Sequence, residues 1–235
     1  MKSNTDLAAV KSTALSFLYL DVEPTKLAPV VVMHPIFENG IVFLKGENAP
    51  GNILEDEEVL EKARQIVREE INDAKDAMQV YGIIRKSYRL TFFKHVAEYL
   101  SINDYSKLLA DAWTMSENPN QDVNVSTAAA VRFFKKADKQ MLMDEDEFIV
   151  YCDLPETFEV YRGVSVGRNP NGLSWTRNKE TASWFAHRFD KKDKCGYVQV
   201  ALAEKKDVLA YFNSRGEDEL VISPKSLKEI KRIEL

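Results

Sequence analysis

The sequence lacks a long apolar stretch and low-complexity tracts, and each absence excludes a class of protein. The longest early apolar run, residues 14–20, ends at Asp21, which is well short of the ~18 residues expected of a membrane span. Neither a basic cluster at the extreme N-terminus nor a small-residue cleavage site accompanies this run, so we expect a cytosolic chain. Because 45% of the 235 residues are hydrophobic, we expect a globular core and not disorder.

Cysteine and histidine are scarce and show no ligand pattern. Cys152 and Cys195 lack CxxC spacing, and in a cytosolic chain we expect both thiols to be free and partly buried. His34, His95 and His187 lie far apart and are expected at surface or core positions instead of around a metal. The sequence therefore predicts no dedicated metal site.

Charge is distributed unevenly along the chain. Residues 1–155 carry 17 Lys and Arg against 25 Asp and Glu, whereas residues 156–235 carry 15 against 12. A mildly basic C-terminal third suits an anionic small ligand. The overall formal charge of −5 does not favour a protein that coats nucleic acid.

The first part of the chain is predicted to contain short strands and then a long helix. Turn residues separate strand-like runs at residues 16–20, 30–33 and 40–44. Asn52 and Glu55 are compatible with a capping arrangement before the helix. The apolar residues of this helix recur at spacings of three and four on one face; they are Val59, Ala63, Ile66, Val67, Ile71, Ala74, Met78 and Tyr81.

Three further helices complete a predicted helical block. They cover residues 88–100, 105–115 and 126–143, and the last one is capped by Ser126. A polar segment at residues 116–122 reads as a linker between them. Residues 52–150 are therefore expected to be mainly helical.

After Pro155 the pattern changes to short strands. Strand-like runs occupy residues 158–161, 173–176, 197–202, 208–212, 220–222 and 230–235. One helix, residues 179–189, interrupts them and is capped by Asn178. Helices followed by strands favour the α+β class, with a mainly antiparallel sheet or sandwich in the second half.

Polar residues mark the strand edges of this second half. They appear in the order arginine, serine and a pair of glutamates, at points where side chains of neighbouring strands converge on one cleft. The residues are Tyr161-Arg162-Gly163, Gly172-Leu173-Ser174-Trp175-Thr176 and Glu217-Asp218-Glu219.

This order resembles the R-S-E class of mono-ADP-ribosyltransferases, the arginine-modifying group that includes bacterial toxins and bacteriophage enzymes. The resemblance is direct for residues 158–222, and the preceding helices match only in arrangement. It implies an α+β, ADP-ribosyltransferase-like fold in which a helical block, residues 52–155, packs against a mainly antiparallel β-sandwich core, residues 156–235. NAD would bind between the two. Residues 1–51 would form a strand-containing segment of unknown role.

The resemblance assigns the chemistry to the two glutamates. Glu219 would stabilise the cationic ribose of the transition state and hold the ribose 2′-hydroxyl. Glu217 would contact the incoming nucleophile. Because two adjacent carboxylates tend to raise one pKa, one of them would be able to act as a base. Strand alternation would direct both glutamates one way and Asp218 the other.

The resemblance assigns support and binding of NAD to the remaining motif residues. Arg162 would contact the pyrophosphate through its planar fork, and Gly163 would leave room for the nicotinamide carboxamide. Ser174 would bind Glu219 and hold its rotamer. Thr176 stands where many members have the last serine of Ser-Thr-Ser, and Trp175 departs from that pattern. Phe185, with its neighbour Trp184, would either stack on nicotinamide or pack in the core.

The implied activity is transfer of ADP-ribose from NAD, a co-substrate, to an arginine on a target protein, with release of nicotinamide and without a metal. The resemblance is to bacterial effectors and bacteriophage enzymes, so action in the cytoplasm of a host cell is expected, with no membrane partner. Three alternatives remain open: transfer to a nucleic-acid base, NAD glycohydrolysis, and a non-catalytic protein-interaction module on the same fold.

Overall fold

A computed structural model describes residues 3–26, 28–44, 46, 49–192 and 194–234. The chain divides into two compact units, Met1–Leu108 and Leu109–Leu235. This boundary lies inside the segment predicted as a helical block, residues 52–155. The chain combines helices with an antiparallel six-stranded sheet, which is compatible with the α+β class.

The first half of the chain contains five helices and two small strand pairs among its described residues. The helices are α1 (Leu7–Leu18), α2 (Glu57–Asp73), α3 (Ala77–Ile83), α4 (Arg89–Val96) and α5 (Ile102–Thr114). The strands are β1 (Glu23–Pro24), β2 (Val32–Met33), β3 (Ile41–Val42) and β4 (Gly51–Asn52). β1 pairs with β2 and β3 pairs with β4, both antiparallel.

The strand predicted at residues 16–20 is wrong, because most of that segment belongs to helix α1. The side chain of Asp6 accepts a hydrogen bond from the amide of Ala9 and caps the helix. Val10, Ala14 and Leu18 follow at spacings of four and are fully buried. This period is that of a helix with one apolar face.

The long helix predicted after residue 52 is broken into α2 and α3. Its cap is Asp56, whose carboxylate accepts hydrogen bonds from Glu58 and Val59, and not Asn52. The backbone leaves the helical conformation at Ala74, where ψ is 135°. The side chain of Asp76 then caps the N-terminus of α3. The apolar stripe therefore continues across two separate helices.

Four further α-helices follow among the described residues of the second unit. They are α6 (Thr127–Lys136), α7 (Lys139–Leu142), α8 (Glu145–Cys152) and α9 (Lys179–His187). The predicted caps Ser126 and Asn178 accept hydrogen bonds from the amides of Ala129 and Thr181. The helix expected to reach residue 143 ends early, because Asp138 caps α7 as a separate helix.

All described strands after residue 155 belong to one six-stranded antiparallel sheet. They are β5 (Thr157–Val164), β6 (Ser174–Thr176), β7 (Tyr197–Glu204), β8 (Val208–Phe212), β9 (Glu219–Ile222) and β10 (Lys228–Glu234). The spatial order is β10-β7-β5-β6-β9-β8. The short strand β6 therefore lies between β5 and β9, which brings the three predicted motifs onto neighbouring strands.

Helix α9 packs closely on β5, and Gly163 makes this approach possible. A Cβ on Gly163 would lie 2.1 Å from the carbonyl oxygen of Ala182 and 2.6 Å from the amide nitrogen of Ala186. Both alanines are fully buried and pack with Val198 and Tyr161. The side-chain space at Gly163 is thus filled by the helix, which gives this glycine a packing role.

Both cysteines are free and exposed, so the expectation that they are partly buried is wrong. Within the described ranges, no three or more His, Cys, Asp or Glu side chains form a group that could hold a metal ion. Across the same residues, the helices are too short or too polar to cross a membrane.

Candidate active site

The sequence-predicted site residues surround a single pocket in the second unit. The empty space of this pocket is about 900 Å³, which includes the open solvent at its mouth. Its walls contain every residue that the motifs singled out for catalysis or NAD binding. These are Arg162, Gly163, Ser174, Thr176, Phe185, Glu217 and Glu219.

Strand register explains why residues distant in sequence meet here. Thr176 on β6 lies opposite Tyr161 on β5 and opposite Glu219 on β9. Ser174 lies two residues before Thr176, so both side chains point to the same face of the sheet. The intervening Trp175 is 2% exposed and pairs with Leu220 on the other face. The departure from Ser-Thr-Ser is therefore accommodated in the core.

Glu219 begins β9 and is held by two hydrogen bonds. The indole Nε1 of Trp113 donates to its Oε1 at 3.0 Å, and Ser174 is its second hydrogen-bond partner. Burial raises the pKa of Glu219, while the bonds from Ser174 and Trp113 act in the opposite direction. The negative charge of Glu217 raises the pKa further, and the nearby cation Arg215 lowers it.

Asn120 organises the serine strand. Its Nδ2 donates to Ser174 Oγ at 2.8 Å, and its Oδ1 accepts from the amide of Leu173 at 2.5 Å. Because the Ser174 oxygen accepts from Asn120, its own hydrogen remains available for the carboxylate of Glu219. Residues 116–120 of the segment read as a linker, residues 116–122, line the pocket.

Arg162 is turned into the protein. Its Nη1 donates to the carbonyl of Ser174 at 2.6 Å, and its Nη2 donates to the carbonyl of Asn169 at 3.0 Å. Only 8% of the residue is exposed. Burial lowers the pKa of Arg162 to about 10, and the charge of Glu219 partly opposes that shift. The guanidinium therefore ties β5 to β6 and to the loop before it.

Two further arginines at the pocket, the half-buried Arg168 and the exposed Arg188, were not found from the sequence. Arg168 Cζ lies 4.7 Å from the centre of the Phe189 ring, and Arg188 Cζ lies 5.4 Å from the centre of the Trp184 ring. Both arginines line the pocket with Arg162 and Arg215. The pocket thus combines four cations with the carboxylates of Glu117, Glu217 and Glu219.

The aromatic pair on α9 is divided between two environments. Phe185 lines the pocket, whereas Trp184 is 58% exposed. Their rings meet edge to face with centroids 4.9 Å apart. Thr176 Oγ1 accepts a hydrogen bond from the amide of Asn178 at 3.0 Å, so this hydroxyl also supports the turn that leads from β6 into α9.

The three acidic side chains of residues 217–219 lie in two different environments. Glu217 lines the pocket with Glu219, whereas Asp218 pairs with Arg177 across 3.3 Å. Strand alternation is not the cause, because β9 begins only at Glu219. Asp218 adopts a left-handed conformation with φ of 49°, and this turn in the backbone directs it away from the two glutamates.

Comparison of the chain with protein-family models, with curated proteins and with solved structures found no match.

Proposed function

We propose that this chain is a mono-ADP-ribosyltransferase that transfers ADP-ribose from NAD to an arginine side chain of a target protein and releases nicotinamide. The supporting observation is convergence. Arg162, Ser174, Glu217 and Glu219 come from three separated motifs and line one pocket. A sequence that carried this order by chance would have no reason to place all four side chains around the same cavity.

Glu219 would act at the ribose that leaves nicotinamide. As that bond stretches, positive charge develops on the ribose, and a fixed carboxylate beside it lowers the barrier. The hydrogen bonds from Trp113 and Ser174 hold the Glu219 carboxylate in one orientation before the substrate arrives. Such preorganised electrostatic stabilisation is typically worth about 3 kcal/mol, or on the order of 100-fold in rate.

Glu217 would bind the guanidinium of the acceptor arginine. It lines the same pocket as Glu219, and the two charges interact. A carboxylate at this position binds a guanidinium through charge-assisted hydrogen bonds and takes up the proton that the acceptor loses. The choice of arginine as the acceptor rests on this residue.

The phosphates of NAD would be bound by Arg168 and Arg188. Both side chains line the pocket and are more exposed than Arg162. Arg162 already donates to two main-chain carbonyls, so we assign it to holding the site together. Planar guanidinium groups suit the paired oxygens of a pyrophosphate. Phe185 offers an aromatic surface at the same pocket for the nicotinamide ring.

Release of nicotinamide from NAD tests the proposal without knowledge of the acceptor. The Glu219→Gln variant keeps the shape of the side chain but removes its charge, so we expect release to fall by on the order of 100-fold. Glu145→Gln, an exposed position on α8, is the matched control and should retain the rate. Equal rates for wild type and Glu219→Gln would overturn the assignment.

The acceptor class needs a second measurement. The mildly basic C-terminal third keeps a nucleic-acid base as the alternative acceptor. After incubation with labelled NAD and a cell lysate, label that survives nuclease and is lost to protease indicates a protein acceptor. Label removed by nuclease would select the nucleic acid, and nicotinamide release without any acceptor would select glycohydrolysis.

A further inference from the structure

An arginine of the same chain occupies the position at which an acceptor guanidinium is expected. The Nε atom of Arg215 lies 3.8 Å from Oε1 of Glu217, and both residues line the pocket that contains Glu219. Arg215 also acts electrostatically on Glu219. One guanidinium therefore pairs with Glu217 and lines the same pocket as both carboxylates to which the reaction is assigned.

The loop that carries Arg215 is anchored on both sides. Gly216 has a φ of 69°, which glycine adopts without strain, and its amide donates to the carbonyl of Asn213 at 2.8 Å. The side chain of Asn213 accepts from the amide of Asp218 at 3.0 Å. The ion pair between Asp218 and Arg177 holds the C-terminal side of this loop. The turn thus presents Arg215 and Glu217 side by side.

The other three pocket arginines are engaged elsewhere. Arg162 donates to main-chain carbonyls, and Arg168 and Arg188 lie over the rings of Phe189 and Trp184. Among the described residues of the pocket, Arg215 is the arginine that forms an ion pair with Glu217. Its side chain is 44% exposed, so it retains the freedom to approach a bound substrate.

We propose that Arg215 is itself an acceptor of ADP-ribose, modified within its own chain. The inference rests on the proposed transferase function. A guanidinium nitrogen of Arg215 forms a bond to the ribose C1′ of NAD, and the bond between C1′ and nicotinamide breaks. Nicotinamide leaves with that electron pair as a neutral molecule. The guanidinium nitrogen loses one proton to Glu217, which passes it to solvent, so no further reactant is required.

Modification within the chain follows from effective concentration. A guanidinium tethered two residues from Glu217 reaches the reaction centre without a diffusional encounter. The fraction of chains modified per unit time should therefore not depend on protein concentration. Once modified, Arg215 carries the negative charge of ADP-ribose beside Glu217 and Glu219, which disfavours a second anionic NAD at the pocket.

The experiment incubates the purified chain with NAD and locates ADP-ribose on its peptides by mass spectrometry. We expect the modification on the peptide that contains Arg215, at a rate unchanged by about 100-fold dilution. Arg215→Lys should lose this label, and Arg132→Lys, an exposed position on α6, should keep it. A tagged Glu219→Gln chain mixed with active wild type should stay unlabelled at Arg215, which distinguishes reaction within the chain from reaction between chains.

Two negative results have different meanings. If the wild type releases nicotinamide and modifies the small guanidine agmatine while Arg215 stays unmodified, the self-modification is overturned and the transferase function stands. If no nicotinamide is released from NAD, the proposed function fails and this inference fails with it. Equal labelling of the tagged Glu219→Gln chain would overturn modification within the chain.

Discussion

The indole Nε1 of Trp113 donates a hydrogen bond of 3.0 Å to Oε1 of Glu219, across 106 positions of sequence. Trp113 is 1% exposed, and its ring meets that of Phe134 edge to face with centroids 5.1 Å apart. A large buried side chain therefore fixes one oxygen of the carboxylate. Because core side chains have little freedom to move, the orientation of Glu219 is set before any ligand binds.

Replacement of Trp113 by Phe should change the pH dependence of nicotinamide release. The hydrogen bond from Trp113 lowers the pKa of Glu219, so its removal raises that pKa further. The acid limb of kcat/KM should therefore move to higher pH, and the rate at neutral pH should fall roughly 10-fold. Phe134→Leu perturbs the same cluster without removing this donor and should leave the acid limb in place. Identical pH profiles for Trp113→Phe and wild type would contradict the positioning role.

Replacement of Asn120 by Asp should redirect the hydroxyl of Ser174. The new side chain still accepts from the amide of Leu173 but no longer donates to Ser174 Oγ. The hydroxyl hydrogen is then drawn to the new carboxylate and away from Glu219, so we expect kcat to fall roughly 10-fold. Asn124→Asp adds the same charge at an exposed position and should retain activity. Unchanged kcat in Asn120→Asp would show that Ser174 does not depend on Asn120.

Replacement of Glu219 by Gln should stabilise the folded protein at neutral pH. Burial raises the pKa of Glu219 in the folded state, so the folded chain binds this proton more tightly than the unfolded chain, and stability is lost as pH rises through the raised pKa. A glutamine side chain does not ionise, so the variant does not lose this stability as the pH rises. Urea unfolding at about pH 7.5 should show a higher midpoint for Glu219→Gln, and the difference should shrink as the pH falls from the raised pKa of Glu219 to the ordinary pKa range of glutamate. A lower urea midpoint for Glu219→Gln than for the wild type at neutral pH would contradict this prediction.

Replacement of Gly163 by Ala should destabilise the protein strongly. The added methyl group would meet the backbone of α9 at 2.1 Å, and overpacking of this kind costs about 1–3 kcal/mol or more. Gly82→Ala is the matched control, because no atom lies within 4 Å of a Cβ there and alanine favours the helix by roughly 0.5–1 kcal/mol. Denaturant midpoints should thus move in opposite directions. A loss below about 0.5 kcal/mol for Gly163→Ala would mean that α9 shifts easily on β5.

The sheet of the second unit was largely predictable because its strands are short apolar runs bounded by turns. β8 was predicted at its observed bounds, and β9 differs by one residue, Glu219. The caps Ser126 and Asn178 were likewise predicted, since capping depends on neighbouring residues. Local signals of this kind are read directly from the sequence.

Errors arose where two local patterns competed. The run around residues 14–20 has few charged residues, so the helical period of Val10, Ala14 and Leu18 is hidden among other apolar side chains. The break between α2 and α3 is hidden because the apolar stripe continues through Ala74. The first error concerns the type of the element, and the second concerns where an element ends, which its caps decide.

Apart from the contact of Ser174 with Glu219, which the resemblance implied, the long-range contacts of the site could not be predicted. Trp113 reads as an ordinary core residue of a helix, and its bond to Glu219 exists only after folding. Asn120 lies in a polar segment typical of a linker. The main-chain carbonyls that bind Arg162 are common to every sequence. Only the conjunction of three motifs signalled that a pocket would form.

Because Arg162 binds two main-chain carbonyls, its conservation in a related sequence would not by itself indicate activity. A guanidinium that joins β5 to β6 stabilises the sheet whether or not the pocket performs any reaction. A related sequence without the proposed activity would still be selected to keep this arginine, while Glu217 and Glu219 would be free to change. In such sequences a conserved Arg162 would indicate the shared fold. Conserved Glu217 and Glu219 would indicate that the proposed activity is retained.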